Sequence, residues 1–355
     1  MGKYISCYNM EGMLIFYPDV IRHCCVPVNG KFGDIRICNY DGGPLPIVEI
    51  KRSRDRYRAM FANMENYKDE HCYHCPNRFE NDWTRDYLID NVHFNTSFLC
   101  NIRCSYCIQR VFPIEDQKPR YPLYPVAVEL LKGNLLSPST LFFWSGGETV
   151  LLKDFDKTFL LLTKVTSFRH DLATNGTVFS QAVYDMLKQN DNLDVRISID
   201  CGSPEKYIEM KGKDFYEKAW TNLLEYASTG GKVHAKYVIT YENYEKKELD
   251  SFLERIQNST IKYVDIEIDH NFEEYEKHHI KALRYLNEEL KKFDVEITCG
   301  IHSIASVQDF WEEFYDQSPL YVRAIRKMKN KTPAKLKDII KKIPVTNSIY
   351  NKLLR

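Results

Sequence analysis

No run of apolar residues in this sequence approaches the ~20 needed to cross a bilayer as a helix. The opening Met1-Gly2-Lys3-Tyr4-Ile5-Ser6-Cys7 lacks the charged-then-apolar pattern of a signal peptide. Nor is there an excess of either charge: Lys plus Arg and Asp plus Glu each number 49, so no global field recruits nucleic acid or an anionic surface. No internal repeat is present. These absences point to a soluble, cytoplasmic globular protein, whose 355 residues suggest about two domains and whose 44% hydrophobic content suffices for a sizeable core.

Cysteine is plentiful. In an exported protein eleven cysteines would suggest disulfides, but without an export signal they are expected to stay reduced, and clustered thiols then mean metal binding or catalysis. For the same reason Asn175-Gly176-Thr177 carries no glycosylation meaning.

Three of the thiols fall in Cys100-Asn101-Ile102-Arg103-Cys104-Ser105-Tyr106-Cys107. Positions 100, 104 and 107 share one face of a helix, where cysteine is commonly buried, but a helical rise would hold Cys100 and Cys107 roughly 10 Å apart. One metal centre can take all three only if the segment is a loop. The preceding residues 91–99 support a loop, since they read as a β-strand rich in β-branched and aromatic side chains. Three thiolates can hold an iron-sulfur cube at three corners and leave the fourth iron open. Closed electron-transfer clusters take four protein thiolates, whereas reactive metal sites keep a position free. Zinc remains the competing occupant, although the loop offers it no fourth ligand.

From residue 91 onward, strand-like stretches at 140–144, 167–173, 195–199, 232–239, 263–268 and 295–298 alternate with helical patterns at 151–166, 179–189, 214–228, 244–257 and 272–292. Repeated βα units predict an α/β fold, a partial (β/α)6 barrel of the TIM type with helices outside. Small polar segments follow the first four strands: the cysteine loop, Ser145-Gly146-Gly147-Glu148, Thr174-Asn175-Gly176 and Asp200-Cys201-Gly202-Ser203. In such a barrel these strand ends form one mouth. Residues 1–85 read as a small, separate, cysteine-rich domain, 86–303 as the barrel and 304–355 as a basic helical extension, with Lys and Arg far outnumbering its acids from residue 321 on.

Cys100, Cys104 and Cys107 with the aromatic Tyr106, followed on successive strand ends by Gly146-Gly147-Glu148, Thr174-Asn175-Gly176 and Ser198-Ile199-Asp200, closely resemble the radical S-adenosylmethionine enzymes over about residues 91–300. The resemblance implies a 4Fe-4S cluster on the three cysteines, whose open iron chelates the methionine part of S-adenosylmethionine. An electron then cleaves a carbon–sulfur bond to give a 5′-deoxyadenosyl radical that abstracts hydrogen from a substrate. It also implies an external donor such as flavodoxin or ferredoxin. By the same resemblance Gly146, Gly147 and Glu148 would meet the methionine moiety, Thr174, Asn175, Ser198 and Asp200 the ribose side, and Tyr106 the adenine. Read alone, each is an ordinary turn or strand-end residue. The fifth strand departs from the family pattern: Val238-Ile239-Thr240-Tyr241-Glu242-Asn243 lacks the glycine found there in many members, so adenine contacts are left unassigned.

Cys7, the Cys24-Cys25 pair and Cys72-Tyr73-His74-Cys75 resemble the auxiliary cluster modules called SPASM or twitch, although those follow the barrel rather than precede it. A second 4Fe-4S cluster is the expected occupant, with zinc the alternative. Cys38 is a spare thiol. Cys201 and Cys299, near strand ends, are candidate hydrogen donors to a substrate radical, as in radical epimerases, although burial is the common fate of a lone cysteine. The expected substrate is a sugar, a nucleotide-linked sugar or another small molecule, with a peptide less favoured because residues 1–85 hold the cysteine module. The outcome would be oxidation, epimerisation or rearrangement. The rival reading is a non-catalytic zinc or iron-sulfur protein whose basic tail binds nucleic acid. Against it stand the charge balance and the polar loops at successive strand ends.

Overall fold

The computed structural model describes residues 4–24, 27–28, 31–32, 35–63, 71–75, 79–81, 88–111, 117–189, 192–269 and 277–300. The basic extension lies outside them, as does Cys25; the backbone of Cys299 lies within them, but its side chain does not.

The N-terminal part runs through β1 (Tyr4–Ser6), α1 (Tyr8–Gly12), β2 (Met13–Phe16), β3 (Val20–Arg22), β4 (Pro27–Val28), β5 (Lys31–Phe32), β6 (Arg36–Asn39), α2 (Ile47–Ala62) and β7 (Phe79–Asn81). The barrel follows: β8 (Ile89–Phe94), α3 (Leu123–Lys132), β9 (Leu136–Trp144), α4 (Phe155–Thr163), β10 (Arg169–Thr174), α5 (Gln181–Gln189), β11 (Leu193–Ser198), α6 (Pro204–Lys211), α7 (Tyr216–Ala227), β12 (Lys232–Ile239), α8 (Lys246–Gln257), β13 (Tyr263–Ile268), α9 (Lys277–Leu290) and β14 (Glu296–Gly300).

One ten-stranded sheet carries the order β14-β13-β12-β11-β10-β9-β8-β2-β3-β6. Every neighbouring pair from β14 to β8, and β8 with β2, is parallel. Burial alternates residue by residue along β10 and β11. Val195, Ile197, Val233, Ala235, Tyr237, Val264 and Ile266 are all essentially unexposed, whereas Arg196, Ser198 and Lys236 on the opposite face are half-buried. Period-2 alternation is what sends the apolar set outward under the helices and the polar set inward. Trp144, fully buried, packs edge-on against Phe155 and Phe159 at 5.4 and 5.5 Å and donates to His170 Nδ1 at 3.3 Å, closing the layer between β9 and α4.

The barrel expected from the sequence is present as an open, parallel sheet of seven consecutive strands with helices on its outer face. The boundary expected at residues 85 and 86, however, is not a break in the sheet. β2, β3 and β6 extend it, and residues 1–304 form one compact unit. The first barrel strand ends at Phe94 rather than residue 99, because Asn95 onward turns toward the cysteine loop.

Helices α3 and α6 are additional to the sequence expectation. For α6 the signal was in the sequence: Ser203 caps it, its Oγ accepting from Lys206 N at 3.3 Å, Pro204 opens it, and Gly212 ends it at φ 70°.

Candidate active site

The cysteine loop leaves the C-terminal end of β8 without helix, closed by a turn in which Cys107 N donates to Cys104 O at 3.2 Å. Cys100, Cys104 and Cys107 are each half-buried. Burial pushes the Cys100 thiol up to about 11 and raises Cys104, whose rise is opposed by the charge of Lys211. Metal binding stabilises desolvated thiols of this kind as thiolates, so their chemistry suits an iron site. Among the described residues, no three His, Cys, Asp or Glu side chains gather as the ligands of one ion would. Structural zinc takes four protein ligands, whereas a cluster with one open iron takes three thiolates, so the three thiols of this loop suit a cluster better than zinc.

The segment before the loop is latched to the end of β9. Gly147 N donates to Ser97 O at 2.8 Å and Glu148 N to Leu99 O at 2.7 Å. A Cβ on Gly147 would lie 2.1 Å from Leu99 O, and one on Gly146, at φ 111°, would lie 2.7 Å from Ser97 O. The two glycines therefore admit the backbone that carries the cysteines. The sequence reading brings this strand end against a methionine moiety; its Gly147 and Glu148 N–H groups fix the loop.

Glu148, 1% exposed, reaches the next strand end instead of the open mouth. Its carboxylate accepts from Thr174 Oγ1 at 2.6 Å and from Asn175 N at 2.7 Å. Desolvation outweighs these bonds and raises its pKa to about 7. A carboxyl with a raised folded pKa holds its proton more tightly when folded, so stability is greatest below about 4.5 and is lost as pH rises through 7. Between pH 5 and 8 the parent chain should lose up to about 3 kcal/mol relative to Glu148→Gln, as measured by denaturant unfolding at each pH. A constant difference across that range would contradict the buried titration.

Asn175 is likewise occupied. Its Nδ2 donates to Asn101 Oδ1 at 2.9 Å and approaches Cys100 Sγ at 3.6 Å, while its Oδ1 accepts from Thr177 N and Oγ1 at 2.9 and 2.6 Å. Asn101 Nδ2 closes the ring onto Thr177 Oγ1 at 2.7 Å. This network braces Cys100.

Asp200 is fully buried at φ 61°, with Val238 N donating to Oδ1 at 2.7 Å and Asn243 Nδ2 to its carbonyl at 2.7 Å. Tyr106 OH donates to Oδ2 at 2.6 Å, and Lys211 pairs with the same oxygen. Here Asn243, whose Oδ1 also accepts from Thr240 N at 2.7 Å, braces the fifth strand end where many family members have glycine. Glu242 accepts from Ser105 Oγ, tying the same strand end to the cysteine loop. Ser198 stands half-buried at the end of β11, on the inner face.

Cys201 does not face the barrel interior. It is fully buried with Sγ 3.5 Å from Met210 Sδ in α6, so core packing replaces the expected hydrogen-donor role. The backbone of Cys299 sits in register with Ile266. At the N-terminal cysteines, Cys7, Cys24 and Cys72 share one buried cluster with Met10, Ile35, Tyr57, Met60 and Phe61. Burial, then the neighbouring Cys24 and Cys75, push Cys7 up. Asn9 Nδ2 donates to Cys24 Sγ at 3.1 Å. Cys38, half-buried on β6, stands outside this group.

The sequence reading missed the charged inner face. Arg196 pairs with Asp171, and its Nε lies 3.4 Å from Asp265; Lys236 Nζ lies 2.6 Å from Glu267; Thr298 Oγ1 donates to Asp265 at 3.1 Å. Lys236 pairs in register with Ser198 on one side and Asp265 on the other. The signal was available as polar residues alternating in Asp194-Val195-Arg196-Ile197-Ser198 and Val264-Asp265-Ile266-Glu267.

The Radical SAM superfamily profile matches residues 94–256. A GTP 3′,8-cyclase of Clostridium botulinum is 22% identical over 175 residues, 49% of this chain and 54% of that one. An uncharacterised protein of Methanocaldococcus jannaschii is 27% identical over 141 residues, covering 40% and 42%. The chain thus spans about half the length of the curated relatives it matches. Among solved structures, Streptococcus suis SuiB bound to S-adenosylmethionine superposes with a TM-score of 0.51 at 12% identity, over 77% of this chain and 61% of SuiB. SuiB bound to its precursor peptide SuiA superposes with the same TM-score over 76% and 56%. A parallel barrel with three thiols on the loop after its first strand, and a sequence profile that begins at that strand's end, identify residues 94–256 as a segment matching the radical SAM superfamily.

Proposed function

We propose that this protein is an enzyme that cleaves S-adenosylmethionine reductively and abstracts hydrogen from a small, polar, charge-bearing substrate held inside the barrel. When bound, a 4Fe-4S cluster on Cys100, Cys104 and Cys107 with S-adenosylmethionine supplies the electron and the cleavable carbon–sulfur bond that yield a 5′-deoxyadenosyl radical. The chain's own contribution is positional. The Gly146-Gly147 latch and the Asn101–Asn175–Thr177 ring fix the cysteine loop, and Asp200 with Asn243 fixes the strand ends beside it.

The observation that carries the substrate reading is the inner face. Arg196 and Lys236, set against Asp171, Asp265 and Glu267, line it at and below the level of Ser198. Charges turned inward, beside only a few apolar neighbours such as Phe143, Ala173 and Val238, favour a ligand that competes for them with its own charges or hydroxyls. A sugar, a nucleotide-linked sugar or an amino-acid-like metabolite meets that demand. The cyclase relatives' nucleotide substrate falls in the same chemical range. We further infer an auxiliary 4Fe-4S cluster at Cys7, Cys72 and Cys75 with Cys24 or Cys25. It is supported by the convergence of Cys7, Cys24 and Cys72 in one cluster and by the Asn9 bond to Cys24 sulfur, a type of contact that tunes cluster potential.

Anaerobic reconstitution with iron and sulfide, reduction in the presence of S-adenosylmethionine and chromatography for 5′-deoxyadenosine test the reaction. Lys236→Met should leave basal cleavage within about twofold, because the Lys236 side chain pairs with Glu267 and its backbone bonds to Ile199 and Asp200 are kept, but it should abolish stimulation by a protein-free metabolite fraction that stimulates the parent. Stimulation by added peptides alone, undiminished in Lys236→Met, would contradict the small-molecule reading.

A further inference from the structure

Lys211 has no solvent exposure, and neither the cysteine loop nor the inner face accounts for a buried lysine. Its Nζ donates to Tyr106 OH at 2.9 Å and to Ser198 O at 3.4 Å, and it pairs with Asp200. The backbone fixes it in relation to the thiols. Arg103 N donates to Lys211 O at 2.8 Å and Ser105 N to Met210 O at 2.7 Å, so both neighbours of Cys104 are bonded to the last turn of α6. Tyr106, between Cys104 and Cys107, is bonded to both members of the ion pair.

A buried ion pair adds little net stability compared with apolar side chains of the same size, so packing alone gives no reason for a lysine here. Burial by itself would push its pKa down, yet the charge of Asp200 outweighs that and raises it, which keeps the cation charged. That charge acts on Cys104.

We propose that Lys211, held by Asp200 and linked through Tyr106, is a positioning residue that sets the reduction potential of the metal centre on Cys100, Cys104 and Cys107. The inference rests on the cluster reading above. The step concerned is the entry of one electron from an external low-potential donor into the cluster. No proton moves, because Lys211 stays charged before and after. A fixed cation beside the thiolates favours the more negative, reduced state.

The test is a potentiometric titration of the full chain, reconstituted without oxygen, followed by electron paramagnetic resonance of the signal that responds to S-adenosylmethionine. Lys211→Met should shift the reduction equilibrium about tenfold toward the oxidised state, a midpoint about 59 mV lower for one electron. Lys211→Arg, which keeps the charge, should restore the parent midpoint. Lys211→Gln, which keeps a hydrogen-bond donor but not the charge, should lower the midpoint as Lys211→Met does. A merely structural lysine would lower iron content and thermal stability in Lys211→Met while leaving the midpoint of the clusters that form unchanged, and that result would overturn the proposal. Should Lys211→Met fail to assemble a cluster, Lys211→Gln decides: an unchanged midpoint overturns it. Absence of any S-adenosylmethionine-responsive signal in the parent chain would instead refute the cluster reading itself.

Discussion

Replacement of Cys104 by alanine should reduce 5′-deoxyadenosine formation by at least about a thousandfold and remove the S-adenosylmethionine-responsive signal. Cys72→Ala should retain both and lose only part of the iron. The expectation follows from the donor count. The loop offers three thiols, all half-buried and braced by Asn175, Asn101 and the end of α6. Two thiolates leave the cube one corner short, and the neighbouring Cys201 is buried against Met210. Cys72 belongs to a different buried cluster. Iron analysis and chromatography on the two variants side by side check the claim; equal loss of both signals would show that the two cysteine groups are not independent.

Gly147→Ala should be nearly as damaging although it removes no ligand. Its added methyl would meet a backbone oxygen, Leu99 O, at 2.1 Å, and backbone cannot rotate away as a side chain can. Relief requires residues 97–99 to move, breaking the bonds from Gly147 N and Glu148 N and carrying Cys100 with them. Overpacking of this kind costs about 3 kcal/mol or more. Displacement of the reacting groups by an ångström costs about a hundredfold in rate. Thermal unfolding and 5′-deoxyadenosine yield measure the two effects. A variant with parent stability and yield would mean that the latch does not position the loop.

Much of this architecture was legible because its signals are local. The strands β12 and β13 follow from the sequence residue for residue, since β-branched and aromatic runs flanked by polar turns have no competing reading. The loop nature of 100–107 followed from helical geometry, which keeps the three thiols too far apart for one metal centre, together with the strand-like residues before it. What stayed hidden depends on long-range pairing. The strands β2, β3 and β6 look like fragments of a small domain, because nothing local to Met13–Phe16 shows that it pairs with β8. Asn175 and Asp200 were rightly placed at the mouth, but a sequence cannot show that their donors and acceptors are already taken by Asn101, Thr177, Lys211 and Tyr106. Cys201 sits one residue beyond an aspartate with positive φ, a backbone reversal that sends it against Met210 rather than into the barrel. Lys211 was missed for a simpler reason: α6 went unread despite its Ser203-Pro204 start and its Gly212 stop.

The most direct test of the central claim is Mössbauer and electron paramagnetic resonance spectroscopy of oxygen-free protein, with and without S-adenosylmethionine. A 4Fe-4S signal with one distinct iron, shifted on addition of S-adenosylmethionine and lost in Cys104→Ala, is the expected result. A centre whose irons are all thiolate-bound and indifferent to S-adenosylmethionine, or zinc in its place, would contradict it.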